Sequence, residues 1–172
     1  MIDLLLKRKS VRSYTGEGIS EEELNIILKA ADASPVGLKQ YENLHLTVIT
    51  NKELLGKIED AAGTMFNKPD YKPLYNAPML ILISSKNMPM ENVMYSNAAI
   101  MSHNISLAAT ELNIGACYIW GATAAISKNI ELLKELNLPE GFVVCCGVIL
   151  GKTDEVYEIK EIPDRISKSY IK

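Results

Sequence analysis

The run Met79-Leu80-Ile81-Leu82-Ile83-Ser84 constrains the fold more than any other stretch. It is almost wholly apolar, and it is far shorter than the roughly 20 residues that cross a bilayer. A strand buried on both faces reads this way. Residues 116–119 (Ala-Cys-Tyr-Ile) and 142–150 read alike, the first leading into Trp120-Gly121 and the second ending at Gly151. Residues 44–50 (Leu-His-Leu-Thr-Val-Ile-Thr) give a further strand.

Helical signals separate these runs. Leu4, Leu5 and Leu6 lead into Lys7 and Arg8, a short helix that ends in cations, as the helix dipole favours. Ser20 and Glu23 have capping-box spacing. Leu24, Ile27, Leu28 and Ala31 follow at helical intervals, so a helix is expected to about Ala33, where Pro35 and Gly37 break it. Asn51 is placed to cap a helix whose face is Leu54, Leu55, Ile58, Ala61 and Ala62. A loop rich in Pro, Lys and Tyr spans residues 67–73. The longest helix is expected over residues 91–113, with Gly115 ending it. Its small residues Ala98, Ala99, Ser102, Ala108 and Ala109 suit close packing, either against a second chain or inside one subunit. Another helix is expected to start at Ser127 and run through Leu136, stopped by Asn137 and Pro139.

The bulk numbers exclude several classes. With 172 residues the chain is long enough for one domain, taken as residues 1–172. A net charge of -3 argues against a nucleic-acid partner, which calls for a basic surface. No transmembrane run and no basic leader are visible, so a cytoplasmic protein away from membranes is expected. Cys117, Cys145 and Cys146 lie in apolar surroundings, and an odd number without ligand spacing points to reduced core thiols and no metal site. On a regular strand Cys145 and Cys146 would point to opposite faces. His45 and His103 have no partner at ligand spacing. There is no G-x-G-x-x-G and no phosphate-loop motif.

No catalytic side-chain set stands out, so a cofactor would have to carry any chemistry. The stretch Arg8-Lys9-Ser10-Val11-Arg12 offers two guanidinium groups, an ammonium and a hydroxyl within five residues. Arg meets phosphate oxygens in a bidentate fork, and Ser adds a short donor. The same residues also suit a solvated helix end.

From its first helix onward, the chain resembles the nitroreductase family of FMN-dependent NAD(P)H oxidoreductases. Arg8-Lys9-Ser10-Val11-Arg12-Ser13-Tyr14 is similar to that family's Arg-Arg-Ser-x-Arg followed by an aromatic residue. The order continues with Ala33-Ser34-Pro35, Asn76-Ala77-Pro78, the stretch from Asn97-Ala98-Ala99 to Leu112-Asn113-Ile114-Gly115, Gly151, and a C-terminal Arg165. The resemblance implies an α+β fold of the nitroreductase type: an α/β sandwich with a central, mostly antiparallel sheet flanked by helices, in an intertwined homodimer.

It also implies site roles. Arg8, Lys9, Ser10, Arg12 and Arg165 would converge on the FMN phosphate. Pro35, Val36 and Gly37 would approach the flavin of the second subunit through backbone atoms. Asn67 would bond the flavin's polar edge, and otherwise serves as a turn residue. Ile119, Trp120 and Gly121 would lie along the ring, the Trp120 backbone N–H donating to N5; a plain core role for Trp120 is the alternative. NAD(P)H would be the co-substrate, with a nitroaromatic or quinone taking the electrons by ping-pong kinetics. Flavin storage or sensing, and reductive dehalogenation, are the other functions the fold implies. The chain departs from the family where Lys39-Gln40-Tyr41-Glu42-Asn43 stands for Asn-x-Gln-Pro-Trp, and where Val36 and Gly37 replace two serines.

Overall fold

A computed structural model describes residues 1–87 and 90–172. The elements, in chain order, are α1 (Ile2–Lys7), α2 (Glu21–Asp32), β1 (Leu44–Ile49), α3 (Lys52–Met65), β2 (Met79–Lys86), α4 (Glu91–Glu111), β3 (Gly115–Ile119), α5 (Gly121–Lys128), α6 (Ile130–Leu136) and β4 (Phe142–Gly151). The strands form one sheet in the order β1-β2-β4-β3, and every pair is antiparallel. This is the expected α+β sandwich. Among the described residues no helix is long and apolar enough to cross a membrane.

Helices cover both faces of the sheet. On one face Ile81, Ile83, Val148 and Leu150 pack with Ile27 of α2 and Met94, Ala98 and Ile105 of α4. On the other, Leu80, Leu82, Ile149, Cys117 and Ile119 pack with Ile58 of α3, Ile126 of α5 and Leu132 of α6. Leu80 to Ile83 are therefore fully buried, which explains their unbroken apolar run. The long helix α4 buries Ala98, Ser102 and Ala109 against its own sheet. Its exposed side carries Tyr95, Ser96, Ala99, Ile100 and His103 instead.

Local chemistry sets the element ends. The Ser20 hydroxyl accepts from Glu23 N, and Glu23 returns the bond to Ser20 N. Asn51 caps α3 by accepting from Leu54 N. Two expectations need correction. The helix expected to start at Ser127 is two helices: Ser127 lies inside α5, its hydroxyl donating to Thr123 O, and Asn129 breaks the path and caps α6. Cys145 and Cys146 do not take opposite faces either. The register shifts at this point of β4, with Ile83 opposite Cys146 and Ser84 opposite Val144, so Cys145 is an extra residue in a bulge. Both thiols join the α4 side of the core.

Candidate functional site

The N-terminal cations are held in place by the residue between them. Val11 is fully buried, and its N–H donates to Ala116 O of β3 at 2.9 Å. Gly115 permits this approach, since a Cβ there would lie 2.9 Å from the Tyr14 ring and 3.0 Å from Val11. Tyr14 OH donates back to Val11 O at 3.0 Å. The segment therefore runs along the open edge of the sheet, with Ser10 and Arg12 on either side of a buried anchor.

Cys117 reports what gathers there. Burial pushes its thiol pKa up, while Arg12, the Ser10 hydroxyl and Arg8 pull it the other way. Arg12 lines the same cavity as Cys117, and the buried Val11 anchor keeps Ser10 and Arg8 in the segment beside it. Arg12 also stands 5.8 Å from the Tyr75 ring. Lys9 turns to Glu155, 2.7 Å away, and to the Tyr157 ring at 5.5 Å. Glu155 is held below the usual carboxylate range, first by its bond with Lys9.

The corner between β3 and α5 faces the same hollow. Arg12, Cys117, Ile119, Trp120 and Gly121 line a cavity of about 250 Å³, closed on its other side by Tyr71 and Tyr75. Trp120 is 61% exposed, which rules out a core role. Its ring lies 6.4 Å from Phe66, which itself meets Tyr71 edge-on at 5.4 Å. Asn67 follows Phe66 at the exit of α3 and takes the left-handed conformation at φ 51°. It is an exposed turn residue at this corner.

The other expected residues lie elsewhere in the subunit. Pro35, Val36 and Gly37 sit against α4, where Gly37 N donates to Asn97 Oδ1 at 3.1 Å. The Ser34 hydroxyl beside them accepts from Asn104 Nδ2 at 2.8 Å. Arg165 lies exposed in the extended tail and does not line the hollow. Sequence reading missed Tyr71, Tyr75, Cys117 and Glu155. The loop carrying the two tyrosines shows only its turn-forming prolines, and Glu155 is 143 positions from the Arg12 N–H it accepts.

Comparison with known proteins places this geometry. A sequence model of the Nitroreductase family matches residues 5–152. A protein of Archaeoglobus fulgidus that carries the name NADH dehydrogenase/NAD(P)H nitroreductase is 27% identical over 172 residues, covering 99% of this chain and 95% of its own. A nitroreductase from Bacteroides fragilis, solved with bound FMN, superposes with a TM-score of 0.82 at 28% identity, over 99% of this chain and 97% of that one. The fold is shared further with a nitroreductase from Desulfitobacterium hafniense, at a TM-score of 0.86 and 24% identity, over 99% and 97% of the two chains. The chain belongs to the nitroreductase family.

Proposed function

We propose that this protein binds FMN as a homodimer and passes electrons from NAD(P)H to an electron-poor aromatic acceptor, a nitroaromatic or a quinone. The observation that carries this reading is the Val11 anchor on β3, which holds Arg8, Ser10 and Arg12 in one short segment at a hollow that Arg12 shares with Ile119, Trp120 and Gly121. Two guanidinium groups and a hydroxyl suit a phosphate dianion. The aromatic and apolar walls beyond suit a flat ring. The FMN held by the Bacteroides fragilis relative has both parts.

When bound, FMN supplies the hydride chemistry, accepting from NAD(P)H and giving to the acceptor in turn. The chain's residues bind and orient. Arg8, Ser10 and Arg12 take the phosphate, and Lys9, already engaged by Glu155, adds charge from the side. The Trp120 backbone N–H would donate to flavin N5, where electron density rises on reduction, and so tune the potential without a titrating group. Asn67 bonds the polar edge of the ring. One binding face used in turn by donor and acceptor gives ping-pong kinetics.

The site needs a second copy of the chain. Pro35, Val36 and Gly37 lie outside their own hollow and are offered to the partner's flavin by the Asn97 bond. Arg165 rides on a tail whose apolar side chains stand in solvent in a single subunit. The exposed α4 stripe around Ala99 and Ile100 supplies the shared surface.

The visible spectrum of the purified protein tests the reading. A yellow protein whose flavin absorbance bleaches on anaerobic mixing with NADH or NADPH supports it. A colourless protein, or a yellow one that neither nucleotide bleaches, ends it.

A further inference from the structure

Trp120 is a shared wall. It lines both the hollow with Arg12 and a second hollow of about 210 Å³ floored by Val144 and Cys145 of the β4 bulge. This second hollow continues past Met65 and Lys128 into a wider groove of about 410 Å³ between α3 and α6. Its inner end meets Tyr95, at the edge of the α4 face assigned above to the second copy. The first part of this trough is the size of a single aromatic ring. Its walls are aromatic and soft, and Lys128 is the only charged residue on it. Among the described residues no carboxylate pairs with Lys128. Glu131, which borders the wider groove, is engaged by Lys134 at 2.9 Å.

We infer that the trough selects acceptors carrying an anionic substituent: flat, electron-poor aromatic acids that stack on Trp120 and place a carboxylate or sulfonate on Lys128. This rests on the FMN reading above and names the acceptor class for that site. An uncompensated ammonium beside an apolar slot attracts a ligand with the same division of character. For a nitroaromatic acid the step balances simply. NAD(P)H and one proton supply two electrons and two protons, one N–O bond breaks, and the products are the nitroso acid, water and NAD(P)+.

The probes are 4-nitrobenzoate and its neutral counterpart 4-nitrobenzamide. Trp120 is the chain's only tryptophan, so its fluorescence in the oxidised holoprotein reads binding directly. Lys128 is exposed, so Lys128→Met is expected to weaken 4-nitrobenzoate binding about two- to fivefold, the size of a surface ion pair, and Lys128→Arg to restore it. The amide should move by less than about twofold, since it has no charge to lose. In turnover, Lys128→Met raises KM for the acid with kcat held and with KM for NADPH unchanged. Equal binding of the acid to wild type and Lys128→Met overturns the inference. So does a rise in KM for NADPH alone, which would give the lysine to the dinucleotide, its charge then serving the donor. A protein that oxidises no NAD(P)H defeats the flavin reading instead, and the fluorescence arm still decides the trough.

Discussion

Gly151 and Gly121 both stand where a methyl group would collide, but with different neighbours. At Gly151 a Cβ would lie 2.5 Å from Pro78 Cδ and 3.1 Å from Tyr14. The proline ring cannot turn away, and the strand end is fixed by its ladder to β3. Gly151→Ala should therefore cost about 1–3 kcal/mol, as overpacking does. At Gly121 the colliding atom is the Tyr71 hydroxyl, the tip of a side chain that can swing. Gly121→Ala should cost less than about 1 kcal/mol in stability. Because Tyr71 closes the hollow, this variant should lose FMN instead. Urea midpoints and flavin content of the two variants check the contrast, and it fails if Gly121→Ala is the less stable of the pair. Sequence reading works at this scale where the partner is near in the chain. The bonds of Ser20 with Glu23, and of Asn51 with Leu54, span three residues each. It fails where the partner is remote: nothing near Lys9 announces Glu155, and nothing near Cys145 announces that the ladder slips there.

Helix α2 is tied to the end of β4 by a single carboxylate. Glu23 Oε1 accepts from Lys152 Nζ at 2.5 Å while Oε2 completes the cap on Ser20 N at 2.8 Å. These bonds favour the ionised form and hold Glu23 below its ordinary value of 4.5, the Lys152 bond contributing most. A carboxylate depressed in the folded state stabilises fully above its unfolded pKa, and the contribution is lost as pH falls through the depressed value. Glu23→Gln should thus lower stability by about 1 kcal/mol or less near neutrality, since both groups are partly in water. As the pH falls below Glu23's depressed pKa the wild type should lose the same increment, and the two urea midpoints should meet. A gap that stays constant with pH would show that packing, not charge, is what the substitution removes. Element type was legible where periodicity ran long, as in α2 and α3, and where an apolar, Ala-rich run was too long for a strand, as in α4. It failed at α5, whose first six residues, Gly-Ala-Thr-Ala-Ala-Ile, carry little polar contrast because five of those six are buried. The cap that mattered was Asn129 rather than Ser127, and hydroxyls and amides are equally suited to that role in sequence.

At the scale of the molecule, strand order was not legible from the residues. Runs buried on both faces do not say which neighbour they pair with, and β2 pairs β4 across more than fifty residues. Resemblance to the family implied a mostly antiparallel sheet, and the order β1-β2-β4-β3 emerged only from the structure. The tail is different, because its sequence and its structure conflict within one subunit. Val156, Ile159, Ile162, Ile166, Tyr170 and Ile171 are each more than half exposed. Covering a large apolar side chain stabilises by about 1.5–3 kcal/mol, so covering these on a partner gives on the order of ten kcal/mol per tail. That is comparable with the roughly 4–15 kcal/mol that association costs in lost freedom. The tails are therefore expected to decide whether the dimer forms. A chain ending at Glu158 keeps Glu155 on Lys9 and Tyr157 OH on Ile114 O, so its own fold should survive. It should nonetheless elute as a monomer and release FMN. Arg165→Ala keeps every apolar residue of the tail and should remain a dimer, yet bind FMN more weakly. Sedimentation and flavin content of the two variants separate the roles. If the shortened chain stays a yellow dimer, the tail neither joins the subunits nor reaches the phosphate.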